Sequence, residues 1–175
     1  MIFSGMAIVE DKEDVARLLS RHWVKDGIIM HMAFTLREKE TYISVNRTSV
    51  ESYQEDVKSF MMFHPVFFLD EELTNYWRAM LNVGEVRNIK VVQGEEILNV
   101  DVEVEPRDIF TKSHAGIFTR HKDQNIKRGE TITLKELTKE VPADLILLDV
   151  RDQLLSLAQL QLCDLASQNS YSEEK

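Results

Sequence analysis

The stretch Ile97-Leu98-Asn99-Val100-Asp101-Val102-Glu103-Val104-Glu105 decides the fold class. Leu98, Val100, Val102 and Val104 alternate with Asn99, Asp101, Glu103 and Glu105. Successive side chains of a strand point to opposite faces, so this reads as a strand with one apolar and one acidic face. Acids along a whole face predict that this side of the sheet is wet. Gly94 falls in the turn before it.

Working upstream, Trp77, Ala79, Leu81 and Val83 alternate with Tyr76, Arg78, Met80 and Asn82, which gives a second strand. Residues 41–46 alternate as well, with Tyr42, Ser44 and Asn46 opposite Ile43 and Val45, and 33–37 is short and β-like. Asp26-Gly27 signals a turn. Residues 11–22 read as a helix: Val15, Leu18 and Leu19 have helical spacing, and Asp11, Glu13 and Asp14 suit the positive end of its dipole. Thr48 and Glu51 have capping-box spacing for a second helix that runs to about Phe63 and stops before Pro65. Thr133 and Glu136 mark a short helix over 133–139 in the same way. Pro142 suits the first turn of a last helix, and leucines are dense from 145 to 166. Its start, 145–150, also reads as a strand. The expectation is an α+β fold: a mostly antiparallel sheet packed with an N-terminal helix, a middle helix and a long C-terminal helix. Residues 1–166 form a single globular domain in this reading, and 167–175 a polar tail.

Composition narrows the function classes. The 175 residues are 43% hydrophobic and 29% charged, too apolar for a disordered chain. Lys and Arg number 21 against 30 Asp and Glu, for a net charge of −9. A nucleic-acid binder that works by global charge is therefore not expected. Cys163 is the only cysteine, so no internal disulfide calls for an oxidising compartment. No secretory leader pattern and no membrane-length apolar run is present, which points to a cytoplasmic protein with no membrane contact.

Charge is unevenly spread. Residues 111–128 hold Lys112, Arg120, Lys122, Lys127 and Arg128 against the single acid Asp123. Ser113-His114-Ala115-Gly116 lies inside this island, where a hydroxyl, an imidazole and a glycine that lets backbone approach a ligand could receive phosphate or carboxylate. His114 is the candidate acid or base, with Ser113 orienting and Arg120 binding. The bland alternative is a solvated basic loop. A second group is Arg37, Glu40, Tyr42, Ser44, Asn46 and Arg47, where three polar side chains share one strand face between two arginines. Arg37, Ser44, Asn46 and Arg47 are the candidate ligand-binding residues there, and the alternative is the solvent face of an edge strand. A third candidate, 82–87 with Gly84, reads as a bulge or a plain turn. His22, His31 and His64 lack metal-ligand spacing, and His114 and His121 would meet only on a helix, so no metal is expected. Cys163 and the methionines read as core filler. Nothing in the sequence names a cofactor.

Ala33-Phe34-Thr35-Leu36-Arg37, Tyr42 to Arg47, Leu81 to Val86 and Ser113 to Ile117 together resemble blocks of small uncharacterised bacterial proteins. That resemblance implies no activity. Arg37, Ser44 and Glu103-Val104-Glu105 also resemble the order of residues in ADP-ribosyltransferases of the Arg–Ser–Glu type, although the usual Ser-Thr-Ser setting is missing. The leading expectation is a pocket for a small anionic, phosphorylated ligand or a nucleic-acid end, with hydrolysis or transfer if the protein is an enzyme. The rival is a non-catalytic interaction module, such as a toxin, antitoxin or defence component. It would use the leucine-rich C-terminal helix against a partner or a second copy.

Overall fold

The computed structural model describes residues 7–37, 40–107, 111–121 and 143–165. In chain order the elements are β1 (Asp14–Leu19), the hairpin β2 (Val24–Lys25) and β3 (Ile28–Ile29), β4 (Ile43–Arg47), α1 (Tyr53–Phe63) and α2 (Pro65–Phe68). There follow β5 (Asn75–Asn82), α3 (Val83–Arg87), the hairpin β6 (Val92–Gln93) and β7 (Glu96–Ile97), β8 (Val100–Pro106), β9 (His114–His121), α4 (Ala143–Leu157) and β10 (Gln159–Asp164). Six strands make one sheet in the order β10-β5-β1-β4-β9-β8. Every neighbouring pair in it is antiparallel. The fold is α+β.

The alternating stretch forms β8 only from Val100 onward, with Val100, Val102 and Val104 buried, while Ile97 belongs to the β6–β7 hairpin and residues 98–99 lie between the two. Its acidic face is not simply wet. Glu103 pairs with Arg87, and Glu105 is buried against Arg120. Asp101 alone of the three is exposed. Acids on a strand face thus mark cations brought to them by the fold as readily as they mark solvent.

The expected N-terminal helix is instead β1, third from one edge of the sheet. Its Val15, Ala16, Leu18 and Leu19 are all buried, because each face is covered. Val15 and Leu19 join a core with Val150 and Leu154 of α4, Val83 and Val86 of α3, and Phe34. Ala16 and Leu18 join a second core with Tyr53, Val57 and Met61 of α1. A strand covered on both faces loses its period of two, and the remaining pattern mimics a helix. The acids assigned to a first helical turn have other partners: Asp11 binds Arg87, and Glu13 binds Arg47.

The long C-terminal helix also divides. α4 ends at Leu157, and Gln159 to Asp164 add an edge strand along β5. Gln159-Leu160-Gln161-Leu162 is a period-two signal hidden among the leucines. Val150 and Leu154 are fully buried in the chain's own core, while Leu148 is exposed. The middle helix starts at Tyr53, after a turn at Thr48, whose hydroxyl donates to the Asp14 carbonyl rather than capping a helix. Residues 31–34 form a 3-10 turn where a short strand is expected. Asp26 and Gly27 turn the β2–β3 hairpin at φ of 53° and 75°, as Asp-Gly predicts. The helix expected over 133–139 and the tail 167–175 lie outside the described residues. Among the described residues no helix is long and apolar enough to cross a membrane.

Candidate functional site

A cleft of about 730 Å3 opens beside β4. Its origin is a parting of strands. β1 and β4 pair at Val15↔Arg47 and Ala16↔Asn46 and no further toward Leu19. Arg17 lies in the resulting gap. Its Nε donates to the Ala33 carbonyl and its Nη1 to the Ser44 carbonyl at 2.8 Å. The guanidinium stands over the Trp23 ring, 5.1 Å from its centre. No carboxylate lies within ion-pair distance of it among the described residues. Burial lowers its pKa to about 10, with Glu40 opposing that fall and Arg37 adding to it. Arg17 therefore remains a cation at neutral pH. Two carbonyls use one N–H each, which leaves donors on Nη1 and Nη2.

The register of β4 with β9 builds the rest of the floor. Asn46 sits opposite His114, and Ser44 opposite Gly116. Ser44 and His114 are thus diagonal neighbours on one face, within side-chain reach. Ser44 Oγ and His114 Nε2 lie 2.7 Å apart in a hydrogen bond. The Tyr42 ring packs at a tilt on the imidazole, with centres 5.9 Å apart. Behind them, Asn46 Nδ2 donates to Ser113 Oγ at 2.9 Å, and Ser113 Oγ donates to Asp56 Oδ2 at 2.7 Å. Asp56 also accepts from Ser52 Oγ. This relay ties α1 to β4 and β9, and so fixes the cleft's back wall.

The site residues expected from sequence are only partly brought together. Arg37, Ser44, Asn46 and His114 line the cleft. Arg37 is largely exposed, with Glu40 4.0 Å from its Nε. Ser113 is fully buried and serves the relay. Arg47 does not reach the cleft: its guanidinium meets Glu13 through two hydrogen bonds of 2.9 Å and also bonds the Ala7 and Ile8 carbonyls. Arg120 does not reach it either, and makes a two-pronged pair with Glu105 at 3.0 and 2.9 Å. Both pairs are buried. Among the described residues the island's cations do not gather at the cleft. Arg120 is neutralised, Lys112 is exposed, and Lys122, Lys127 and Arg128 lie outside the described residues.

Gly116 has no room for a ligand over it. A Cβ there would stand 2.7 Å from both Arg107 Nε and Tyr42 Cδ2. The Arg107 guanidinium fills that space between the Tyr42 and Phe118 rings, 4.4 and 4.2 Å from their centres. Gly116→Ala must push these groups aside, an overpacking that is expected to cost about 1–3 kcal/mol in urea denaturation. An unchanged midpoint would mean that the Arg107 stack yields freely.

The residues that resemble an ADP-ribosyltransferase set are not gathered either. Glu103 and Glu105 are held by Arg87 and Arg120 and do not line the cleft. His114 and His121 lie on a strand, where two-turn helical spacing has no meaning. No group of three or more His, Cys, Asp or Glu is placed to hold a metal among the described residues. Asn82 caps α3 by accepting from Glu85 N, so 82–87 is a helix start. Cys163 is buried on β10, and burial pushes its thiol up against the pull of Arg78.

Two features of the cleft are not anticipated in sequence. Arg17 falls in the stretch read as a helix. Phe60, Phe63 and Phe67 line the cleft instead of the core. No family model matches the chain, and none of the curated proteins or solved structures does.

Proposed function

We propose that the cleft binds a small anionic ligand, with a phosphate or similar group against Arg17. The carrying observation is the Arg17 guanidinium, held by two main-chain carbonyls at the cleft wall, with donors to spare and no carboxylate within ion-pair distance among the described residues. Such a cation is oriented in advance and partly stripped of water, so an incoming anion gains charge-assisted hydrogen bonds with little reorganisation. Arg37 adds charge at the mouth. Ser44, Asn46 and His114 supply hydroxyl, amide and imidazole groups along the floor. Glu40 and Asp56 also line the cleft. Asp56 accepts from Ser52 and Ser113, and Glu40 sits beside Arg37.

The test is a calorimetric titration with inorganic phosphate and pyrophosphate at low ionic strength. Saturable binding that weakens with salt is expected. Absence of binding at millimolar anion overturns the reading.

The Ser44–His114 hydrogen bond favours a second reading, transfer chemistry at the bound group. Neutral His114 would accept the Ser44 hydroxyl proton as Ser44 Oγ attacks a phosphoryl or acyl centre, and would return it to the leaving group; water would then release the product. His114→Ala is expected to abolish turnover of p-nitrophenyl esters or phosphates while phosphate binding persists. Equal turnover by the variant would remove His114 from this role.

The interaction-module reading has less support. It needs one long leucine helix, whereas those leucines divide between α4 and β10, and Val150 and Leu154 are buried in the chain's own core.

A further inference from the structure

The apolar wall of the cleft bears on what the rest of the ligand is. α1 turns Tyr53, Val57 and Met61 into the core, at spacings of four residues. Phe60 and Phe63 fall off that face, and Phe67 follows on α2. They stay 50%, 78% and 53% exposed, yet all three line the cleft. Soluble proteins seldom leave several large rings together in water without a use for them. Phe60 and Phe67 are held by neighbouring rings. Phe60 packs at a tilt against Phe68 and His64, with centres 5.3 and 5.7 Å apart, and His64 packs on Phe67. Trp23, under the Arg17 guanidinium, lines the same cleft. One space thus joins the Arg17 cation, which has no ion-pair partner among the described residues, to an aromatic wall. Its volume lies in the range of small-molecule sites.

We infer that the ligand is a phosphorylated molecule with a flat aromatic ring, of the nucleoside monophosphate class, its anion at Arg17 and its ring stacked on the phenylalanines. This rests on the anion-binding reading above and specifies what the anion is attached to. Apolar walls exclude water around the ring, while a sugar phosphate without a base would leave them unfilled. A base stacks on an aromatic side chain whatever its hydrogen-bonding edge, so the wall selects a ring and not a particular base.

The test titrates the full chain with inorganic phosphate, ribose 5-phosphate and adenosine monophosphate at one ionic strength. Adenosine monophosphate is expected to bind about 10-fold or more tighter than ribose 5-phosphate. Phe63→Ser with Phe67→Ser, both at exposed positions, should bring the two ligands to equal affinity and leave inorganic phosphate unchanged. Equal binding of the two ligands by the unaltered protein overturns this inference and leaves the anion site standing. Failure of all three to bind overturns the anion site and the inference with it. Loss of self-association in the double variant, with adenosine monophosphate affinity unchanged, would assign the rings to a protein contact and overturn the inference.

Discussion

Arg47→Met is expected to destabilise the fold by about 3–5 kcal/mol, because it leaves Glu13 buried without its cation. Both side chains are under a tenth exposed. The two hydrogen bonds to Glu13 and those to the Ala7 and Ile8 carbonyls are lost together. For a chain of this size the loss corresponds to a fall in Tm of roughly 6–20 °C. Glu13→Gln with Arg47→Met should recover part of it, since a neutral amide is cheaper to bury than an unpaired carboxylate. Urea denaturation of the single and double variants measures this. A loss under about 1 kcal/mol in Arg47→Met would place the pair among weak surface bridges.

The same pair sets an acid limb. Burial pushes the Glu13 carboxyl up, but the Arg47 hydrogen bond, the Glu10 amide, the Arg47 charge and Ser49 together hold it below the ordinary value. A carboxyl lowered in the folded state contributes stability above its unfolded pKa and loses it as pH falls through the folded one. Removing Glu13 should therefore flatten the loss of stability on the acid side of its ordinary value.

Much of the sheet can be read from residues alone. β8 keeps an apolar face opposite an acidic one, and in β5 Arg78 and Asn82 still interrupt the second face although Tyr76 and Met80 pack there, so their alternation survives. That of β1 does not, because α1 covers Ala16 and Leu18 while α3 and α4 help cover Val15 and Leu19. Its identity follows from neighbours far along the chain. β10 is masked because leucines of a helix run directly into leucines of a strand.

The site divides in the same way. Tyr42, Ser44 and Asn46 sharing a face follows from local alternation. His114 joins Ser44 only through the β4–β9 register, across 70 residues, which no local pattern encodes. Arg47 and Arg120 resemble ligand clamps in sequence, since nothing local says that Glu13 and Glu105 will meet them. The phenylalanine wall has a faint signal. Once Tyr53, Val57 and Met61 are taken as the buried face of α1, Phe60 and Phe63 fall outside it.

Arg17→Met is expected to weaken phosphate binding by about 10- to 100-fold, the loss of one to two charge-assisted hydrogen bonds. Arg17 also bonds the Ala33 and Ser44 carbonyls, so a lower Tm is expected as well. Arg17→Lys separates the two effects. It keeps the charge and loses the planar fork, so it should bind phosphate at an intermediate affinity. Equal phosphate affinity in all three proteins would exclude Arg17 from the site.

The most direct measurement is the position of a heavy oxyanion, such as tungstate, located by its anomalous scattering in crystals of the protein. The proposal predicts a peak inside the cleft within hydrogen-bond distance of the Arg17 Nη atoms. Ordered tungstate elsewhere on the molecule, with the cleft holding only water, would contradict it.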